Sequence, residues 1–181
     1  MSHQKNEERK RVLITVKAYP LPSRSYDELV CTAGITDEGE WIRIYPVPFR
    51  FLKDEGKYSK YQWVDINLKK ANKDFRPESH SPADTSLEDM DIIETVDTSR
   101  KWRKRKALVL EQGPKVYTSM SELIEDSKDP KNVSLGTFKP KKIIRFEYEE
   151  EREWSEKFKK NIQQQNLFNE KGGRGDKDTE I

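Results

Sequence analysis

The sequence has little of the chemistry on which most enzymes depend. It contains one cysteine, Cys31, and two histidines, His3 and His80, in 181 residues. An internal disulfide needs two cysteines, and a zinc site built from cysteine and histidine needs about four ligands, so the sequence excludes both. The loop G-x-x-x-x-G-K-[ST], which holds nucleotide phosphates, and the turn G-x-S-x-G of serine hydrolases are also absent. We therefore expect a binding protein without a cofactor rather than an enzyme.

Long apolar stretches are missing as well. The N-terminus is polar and no run of about 18 apolar residues occurs, so the sequence predicts neither a signal peptide nor a membrane span. Charged residues make up 38% of the chain, against a typical share of about 25%. The formal net charge is only +2, so any argument about a polyanionic partner depends on local clusters. We expect a soluble, cytoplasmic protein that does not bind membranes.

The clearest local pattern is a pair of alternating segments, residues 29–35 and 41–45. Successive side chains of a strand point to opposite faces, and residues 36–39 are typical of a turn, so the pair predicts an antiparallel hairpin. A four-residue turn would place Ile42 opposite Ala33 on an apolar face. The opposite face would carry Trp41, Arg43 and Tyr45.

Residues 61–68 repeat this alternation, with valine, isoleucine and leucine on one face. The other face carries Tyr61 and Trp63. Together with the outer face of the hairpin, these aromatic residues would form a surface on which nucleic-acid bases stack, a contact worth roughly 1–3 kcal/mol per base. In the alternative interpretation, a helix or a second sheet covers these rings.

The strongest charge cluster is residues 100–106, where six of seven side chains are basic around Trp102. Thr98 and Ser99 can cap a helix, so residues 100–110 are predicted to be helical. Such a density of positive charge favours binding to a phosphate backbone. Alternatively, the helix is solvated and the acidic residues within 84–97 offset its charge. The candidate phosphate contacts are Arg100, Lys101, Arg103, Lys104, Arg105 and Lys106.

A second candidate binding element lies near the C-terminus. Gln164, Leu167 and Phe168 match the Q-x-x-L-F pattern of peptides that dock on bacterial sliding clamps. A glutamine followed by adjacent leucine and phenylalanine can anchor a flexible tail in an apolar pocket. The alternative is that Leu167 and Phe168 complete the apolar stripe of a helix.

A metal-dependent nuclease is the third alternative. Asp65, Asn67, Asp74, Glu78 and His80 include the oxygen and nitrogen ligands that a magnesium nuclease needs. Metal nucleases require carboxylates that converge, whereas two strand faces and a loop are predicted to separate these side chains. We therefore expect no metal site.

The remaining elements follow from shorter patterns. Residues 12–19, 90–96 and 143–148 are predicted to be strands. Ser119 and Glu122 form a capping box before a short helix that ends near Asp126. Residues 149–168 are predicted to be a helix with apolar residues at every fourth position.

Five stretches together resemble a family of uncharacterised bacterial proteins described as dual-OB domain proteins. They are Tyr19-Pro20-x-Pro22-Ser23, residues 28–35, residues 39–50, Arg76-Pro77-Glu78-Ser79, and Ser134-Leu135-Gly136-x-x-Lys139-Pro140. This resemblance implies small five-stranded barrels and a role in nucleic-acid binding, which is frequent among OB-folds.

The sequence therefore predicts an α+β protein. A small antiparallel, OB-like β-barrel module is followed by a second mixed β/α part and a C-terminal helix. The expected function is non-enzymatic binding of DNA or RNA, and the competing class is an interaction adaptor whose tail docks on a sliding clamp. The predicted divisions are a charged arm (1–11), the barrel module (12–72), a polar loop (73–87), the second OB-like part (88–148), the helix (149–168) and a disordered tail (169–181).

Overall fold

The computed structural model of the chain describes residues 7–18, 30–49, 52 and 57–149. Residues 150–168 of the predicted helix, the tail (169–181) and the Gln164, Leu167 and Phe168 motif lie outside the described residues. The division of the chain into an arm, two modules and a tail stays a prediction.

Five strands close into a barrel. They are β1 (Glu7–Lys17), β2 (Val30–Thr36), β3 (Trp41–Val47), β4 (Gln62–Lys70) and β5 (Ser79–Pro82). The first three pair antiparallel in sequence order, β3 pairs parallel with β5, and β4 joins β5 to β1. The expected OB-like α+β fold is confirmed, with one parallel pairing in the barrel.

The barrel interior is filled by the aliphatic side chains that alternation had assigned to it. On β3 and β4, the residues between these positions are half-buried or exposed. Burying one large aliphatic side chain stabilises the folded state by roughly 1.5–3 kcal/mol, so this pattern largely determines which face of each strand points inward. The deeply buried aliphatic residues include Val12, Ile14, Ile42, Ile44, Val64, Ile66 and Leu68, each at most 2% exposed.

The first strand begins at Glu7, earlier than the predicted start at Val12. Its charged residues pair with charged residues of β4: Glu7 lies opposite Lys69 and Arg11 opposite Asp65. The Glu7–Lys69 ion pair measures 3.1 Å and the Arg11–Asp65 pair 2.8 Å. Cross-strand pairs of opposite charge support a ladder, which is why the strand continues into a charged segment.

The hairpin between β2 and β3 is present, but its predicted register is wrong by one residue. Ile42 lies opposite Gly34, not opposite Ala33. Thr36 belongs to β2, and its amide donates to the carbonyl of Glu40 at 2.9 Å, so these two residues close the hairpin and the turn comprises residues 37–39. Nearly every residue of β2 is buried, so its own pattern could not specify the register, whereas β3 still buries Ile42 as predicted.

A sixth strand and a helix follow the barrel strands. The strand predicted over residues 90–96 is confirmed as β6 (Asp91–Thr95), which pairs antiparallel with the start of β4. Helix α1 (Ser99–Leu110) confirms the predicted helix, although Arg100, Lys101 and Trp102 have left-handed φ values of 49–64°. None of the helices in the described ranges is long and apolar enough to cross a bilayer.

A smaller unit follows α1. Strands β7 (Val116–Tyr117) and β8 (Thr137–Phe138) pair in parallel, and helix α2 (Met120–Asp126) lies between them in the chain. The predicted cap is confirmed, because the Glu122 amide donates to the Ser119 hydroxyl at 3.4 Å. The Asp126 carboxylate accepts from Tyr117, Lys115 and Lys131 at 2.6–3.1 Å.

The strand predicted over residues 143–148 is wrong. This segment forms no helix and pairs with no strand among the described residues. Its apolar side chains are 74–89% exposed. An alternating pattern shows that a segment can form a strand. It does not show whether a sheet edge lies beside that segment in the folded chain.

Candidate nucleic-acid interface

A groove of about 850 Å³ lies between β3 and the loop formed by residues 71–78, which joins β4 to β5. The parallel pairing of β3 with β5 brings these parts of the chain together, since Arg43 lies beside Ser79 and Ile44 beside His80. The side chains that give the groove its chemistry are Arg43, Tyr45, Lys73, Phe75, Arg76 and His80.

The loop of the groove is held in shape by its own charges. The Arg76 guanidinium donates to both Asp74 carboxylate oxygens at 2.8 Å and 2.5 Å. This contact holds the pKa of Asp74 well below its usual range and raises that of Arg76. The Lys70 ammonium donates to the carbonyl of Pro77. These contacts therefore fix the shape of the loop without a ligand.

Glu78 connects the groove to the C-terminal part of the chain. Its carbonyl accepts from the Arg43 amide at 2.9 Å and lies 2.9 Å from Nδ1 of His80. Glu78 is only 6% exposed. Its side-chain carboxylate accepts hydrogen bonds from the Ser134 amide at 2.9 Å and from the Ser134 hydroxyl. The position of β5 beside β3 thus depends on a contact that comes from far along the chain.

The groove combines aromatic rings with cations. Phe75 is 80% exposed and Tyr45 is 45% exposed, so their rings are accessible to a flat ligand. Arg43 and Lys73 form no ion pair with any residue that the structure describes, whereas Asp74 neutralises Arg76. Burial lowers the pKa of His80, so this imidazole is neutral at pH 7. Such a surface can stack on rings and attract anions.

The predicted stacking surface is divided by the structure. Arg43 and Tyr45 lie in the groove, but Trp41 lies at the hairpin end of β3 beside Ile35. A Cβ at Gly39 would lie 2.8 Å from the carbonyl of Gln112, so the chain after α1 packs on this turn. The Trp41 indole nitrogen is buried without a hydrogen-bond partner. Trp41 is therefore apart from the groove.

Tyr61 and Trp63 also lie away from the groove, at the other end of β4. The Arg105 guanidinium lies 4.2 Å above the Tyr61 ring and donates to the carbonyl of Val96 at 2.9 Å. Trp63 is half-buried between its neighbours in β1 and β6. Tyr61 and Lys70 at the groove are nine positions apart in the chain, which is roughly 30 Å of extended chain.

The basic cluster, residues 100–106, is largely exposed, and only Arg105 is half-buried. Within the described residues, the only ion pair formed by this cluster joins Lys104 to Asp97 at 3.2 Å. Asp97 has its pKa lowered to about 2, mainly by its hydrogen bond with Ser99. The acidic residues upstream therefore offset little of the charge, and the cluster forms a cationic patch separate from the groove.

The candidate metal ligands do not converge. Asp65 is bound by Arg11 at 2.8 Å, Asn67 donates to Asp89 at 2.7 Å, and Asp74 and Glu78 are held as described above. Within residues 7–18, 30–49, 52 and 57–149, no three His, Cys, Asp or Glu side chains are grouped to hold a metal ion.

Sequence reasoning missed Lys73, Phe75 and Arg76 as groove residues, because residues 72–85 were interpreted as a polar loop. A usable pattern was present: a phenylalanine between basic residues, in a loop that joins two strands. What the sequence could not supply was the parallel β3–β5 pairing that places this loop opposite Tyr45.

A closed five-stranded barrel with a groove between one strand and a neighbouring loop defines a small OB-like domain. The chain belongs to the family described as a domain of unknown function, DUF8758, whose family model matches residues 8–111. A second domain of unknown function, DUF8757, matches residues 116–179. No curated protein and no solved structure matches the chain significantly.

Proposed function

We propose that this protein binds nucleic acid, DNA or RNA, without catalysing a reaction on it. The observation that carries the proposal is the groove between β3 and residues 71–78. OB-folds bind oligonucleotides on the face of their second and third strands and in the loop between strands four and five. The groove occupies the same part of this barrel.

Phe75 and Tyr45 would contact the bases. Both rings are exposed at the groove, and stacking on an aromatic ring requires a base whose face is free. In a duplex the base faces are covered by their neighbours. Single-stranded nucleic acid is therefore the expected ligand.

Arg43 and Lys73 would contact phosphates beside the stacked bases. The basic cluster on α1 would extend the contact for longer strands, since each neutralised phosphate adds a salt-dependent gain in affinity. The groove and the cluster lie near opposite ends of β4, so one short oligonucleotide would not reach both. Membership of the dual-OB family, which also implies nucleic-acid binding, stays a prediction.

The adaptor alternative rests on Gln164, Leu167 and Phe168, and docking of this tail on a sliding clamp stays a prediction. The two classes differ in their response to salt. Phosphate contacts weaken steeply as salt increases, whereas an apolar peptide in a pocket is nearly insensitive to it.

Fluorescence anisotropy with labelled oligonucleotides of about 12 nucleotides, within the usual range of OB-fold sites, tests the proposal. Single-stranded DNA, single-stranded RNA and a duplex of equal length are titrated at several salt concentrations. We expect a single strand to bind more tightly than the duplex, with affinity falling as salt rises. Absence of binding to every oligonucleotide at low salt would contradict the proposal.

A further inference from the structure

Strand β6 has a free edge within the described part of the chain. One edge pairs with β4, and no described strand pairs with the other. All five residues of β6 are exposed, including Ile92 at 36% and Ile93 at 46%. An unpaired edge offers a row of amide and carbonyl groups to which another extended chain can bind.

Residues 141–148 are a segment that lacks, within the described ranges, a strand edge with which to pair. The Arg145–Glu147 ion pair places alternate side chains on one side, as in an extended chain, and the segment has no strand partner among the described residues. Ile144, Phe146 and Tyr148 are 82–89% exposed, and clustered exposed apolar side chains mark an interaction surface. The segment therefore has the pattern of a strand but lacks a sheet.

We propose that residues 141–148 of one copy of this chain add as a strand to the free edge of β6 in a second copy. Each copy offers one free edge and one unpaired segment, so a two-fold exchange uses both at once. Such a contact is self-complementary and closes at a dimer.

The two strands match in side-chain character. In β6, Asp91 lies opposite Asp65 and Glu94 opposite Trp63, on the outer face of the barrel, while Ile92 lies opposite the buried Val64. In the segment, an ion pair between Arg145 and Glu147 confirms that these two side chains share one side. Its other side carries Ile144, Phe146 and Tyr148.

A single register therefore matches the charged and the apolar faces of the segment with those of β6. Arg145 lies beside the acidic outer face of β6, and the apolar side of the segment lies beside Ile92. Asp91 is already paired with Arg9 at 2.5 Å, whereas Glu94 has no ion pair among the described residues. The structure thus assigns Glu94 of one copy as the partner of Arg145 of the other.

Sedimentation of the full chain across a range of concentrations, without nucleic acid, tests this dimer independently of the proposed function. We expect a reversible monomer–dimer equilibrium. Phe146→Asp is expected to abolish the dimer, because it places a charge on the apolar side of the added strand. Ile124→Asp is the matched control, since Ile124 is 52% exposed on α2, and it is expected to leave the dimer intact.

A charge exchange identifies the pairing. Glu94→Arg and Arg145→Glu are each expected to weaken dimerisation about tenfold, and the double variant to recover most of that loss. A monomer at all concentrations would overturn the proposal. A dimer that survives Phe146→Asp would do so as well, as would a monomer whose residues 141–148 are protected from hydrogen exchange, because that segment would then pair within its own chain.

Discussion

The groove and the basic cluster are two cationic regions built in different ways. The groove has a loop fixed by internal hydrogen bonds, exposed rings and a volume of about 850 Å³, and three of its cations, Arg43, Lys70 and Lys73, form no ion pair with a described residue. The cluster has a high density of exposed lysine and arginine. Charge density alone would have singled out the cluster, but shape and aromatic content single out the groove.

This contrast assigns different roles to the two regions. Contacts with bases depend on stacking and respond little to salt, whereas contacts with phosphates release counterions and respond strongly. We therefore expect substitutions in the groove to change affinity at every salt concentration, and substitutions in the cluster to change the salt dependence.

The largest expected effect comes from removing the exposed ring of the groove. Phe75→Ala should weaken binding of a single strand by roughly 5- to 150-fold, equivalent to about 1–3 kcal/mol for one stacked base. The salt dependence should not change, because no charge is lost. Anisotropy titrations measure both quantities.

Phe75→Tyr is the matched control, because it keeps an aromatic ring at the same position. It should bind nearly as well as the natural sequence. Equal affinity for Phe75→Ala and the natural sequence would remove the groove from the binding surface and leave the cluster as the main contact.

The next effect concerns the cluster. Lys101→Glu combined with Lys106→Glu should weaken binding of a long single strand about 30-fold at low salt and reduce the slope of log K against log salt by about 1.4. The matched control reverses the charge of Lys128 and of Lys139, which are exposed outside the cluster. If both pairs weaken binding equally, total charge rather than the cluster determines the affinity.

A smaller effect is expected from the contact that positions β5. Glu78→Ala leaves the amide and hydroxyl of Ser134 without their acceptor, which should lower the free energy of unfolding by about 1–3 kcal/mol. The groove should then bind a single strand several-fold more weakly. Thermal unfolding and anisotropy of the same variant measure the two effects.

Glu78→Gln is the control for that contact, because its side-chain oxygen can still accept from Ser134. It should retain most of the stability and affinity. A Glu78→Ala variant that is destabilised but binds normally would show that the position of β5 does not affect the groove.

The smallest effect is the response of the groove to pH. An unperturbed histidine has a pKa near 6.5, and burial lowers the pKa of His80 below that value. His80 should therefore gain its positive charge at a lower pH than an unperturbed histidine does.

Affinity for a single strand should consequently rise slightly on acidification with a midpoint below pH 6.5, and His80→Asn should abolish the rise. A pronounced increase centred at pH 6.5 that disappears in His80→Asn would indicate an exposed histidine and contradict the geometry of the groove.

The barrel strands were predictable to the extent that their patterns were local. The alternation around Ile42 and Val64 correctly identified which side chains are buried. The hairpin register was not predictable, because β2 is buried on both faces and its pattern fits two registers equally well. The sequence did not predict that β1 begins as early as Glu7, because Glu7 meets its partner, Lys69, only when the barrel closes.

The candidate site was predictable only in part. Arg43 and Tyr45 were identified from the alternation of β3, and both line the groove. Phe75 was missed because its proximity to Tyr45 arises from the pairing of strands that are distant in sequence. The sequence did not predict that Trp41 and Tyr61 lie apart from the groove. Trp41 lies next to the hairpin turn on which the carbonyl of Gln112 packs, and the Arg105 guanidinium lies above the Tyr61 ring.

Photo-crosslinking with a single strand that carries 4-thiouridine tests the central claim most directly, because it reports which residues touch the bases. Mass spectrometry of the crosslinked peptides should place the bases on Phe75 and Tyr45. Crosslinks confined to residues 100–106, with none in residues 43–45 or 71–80, would contradict the assignment of the groove as the base-binding site.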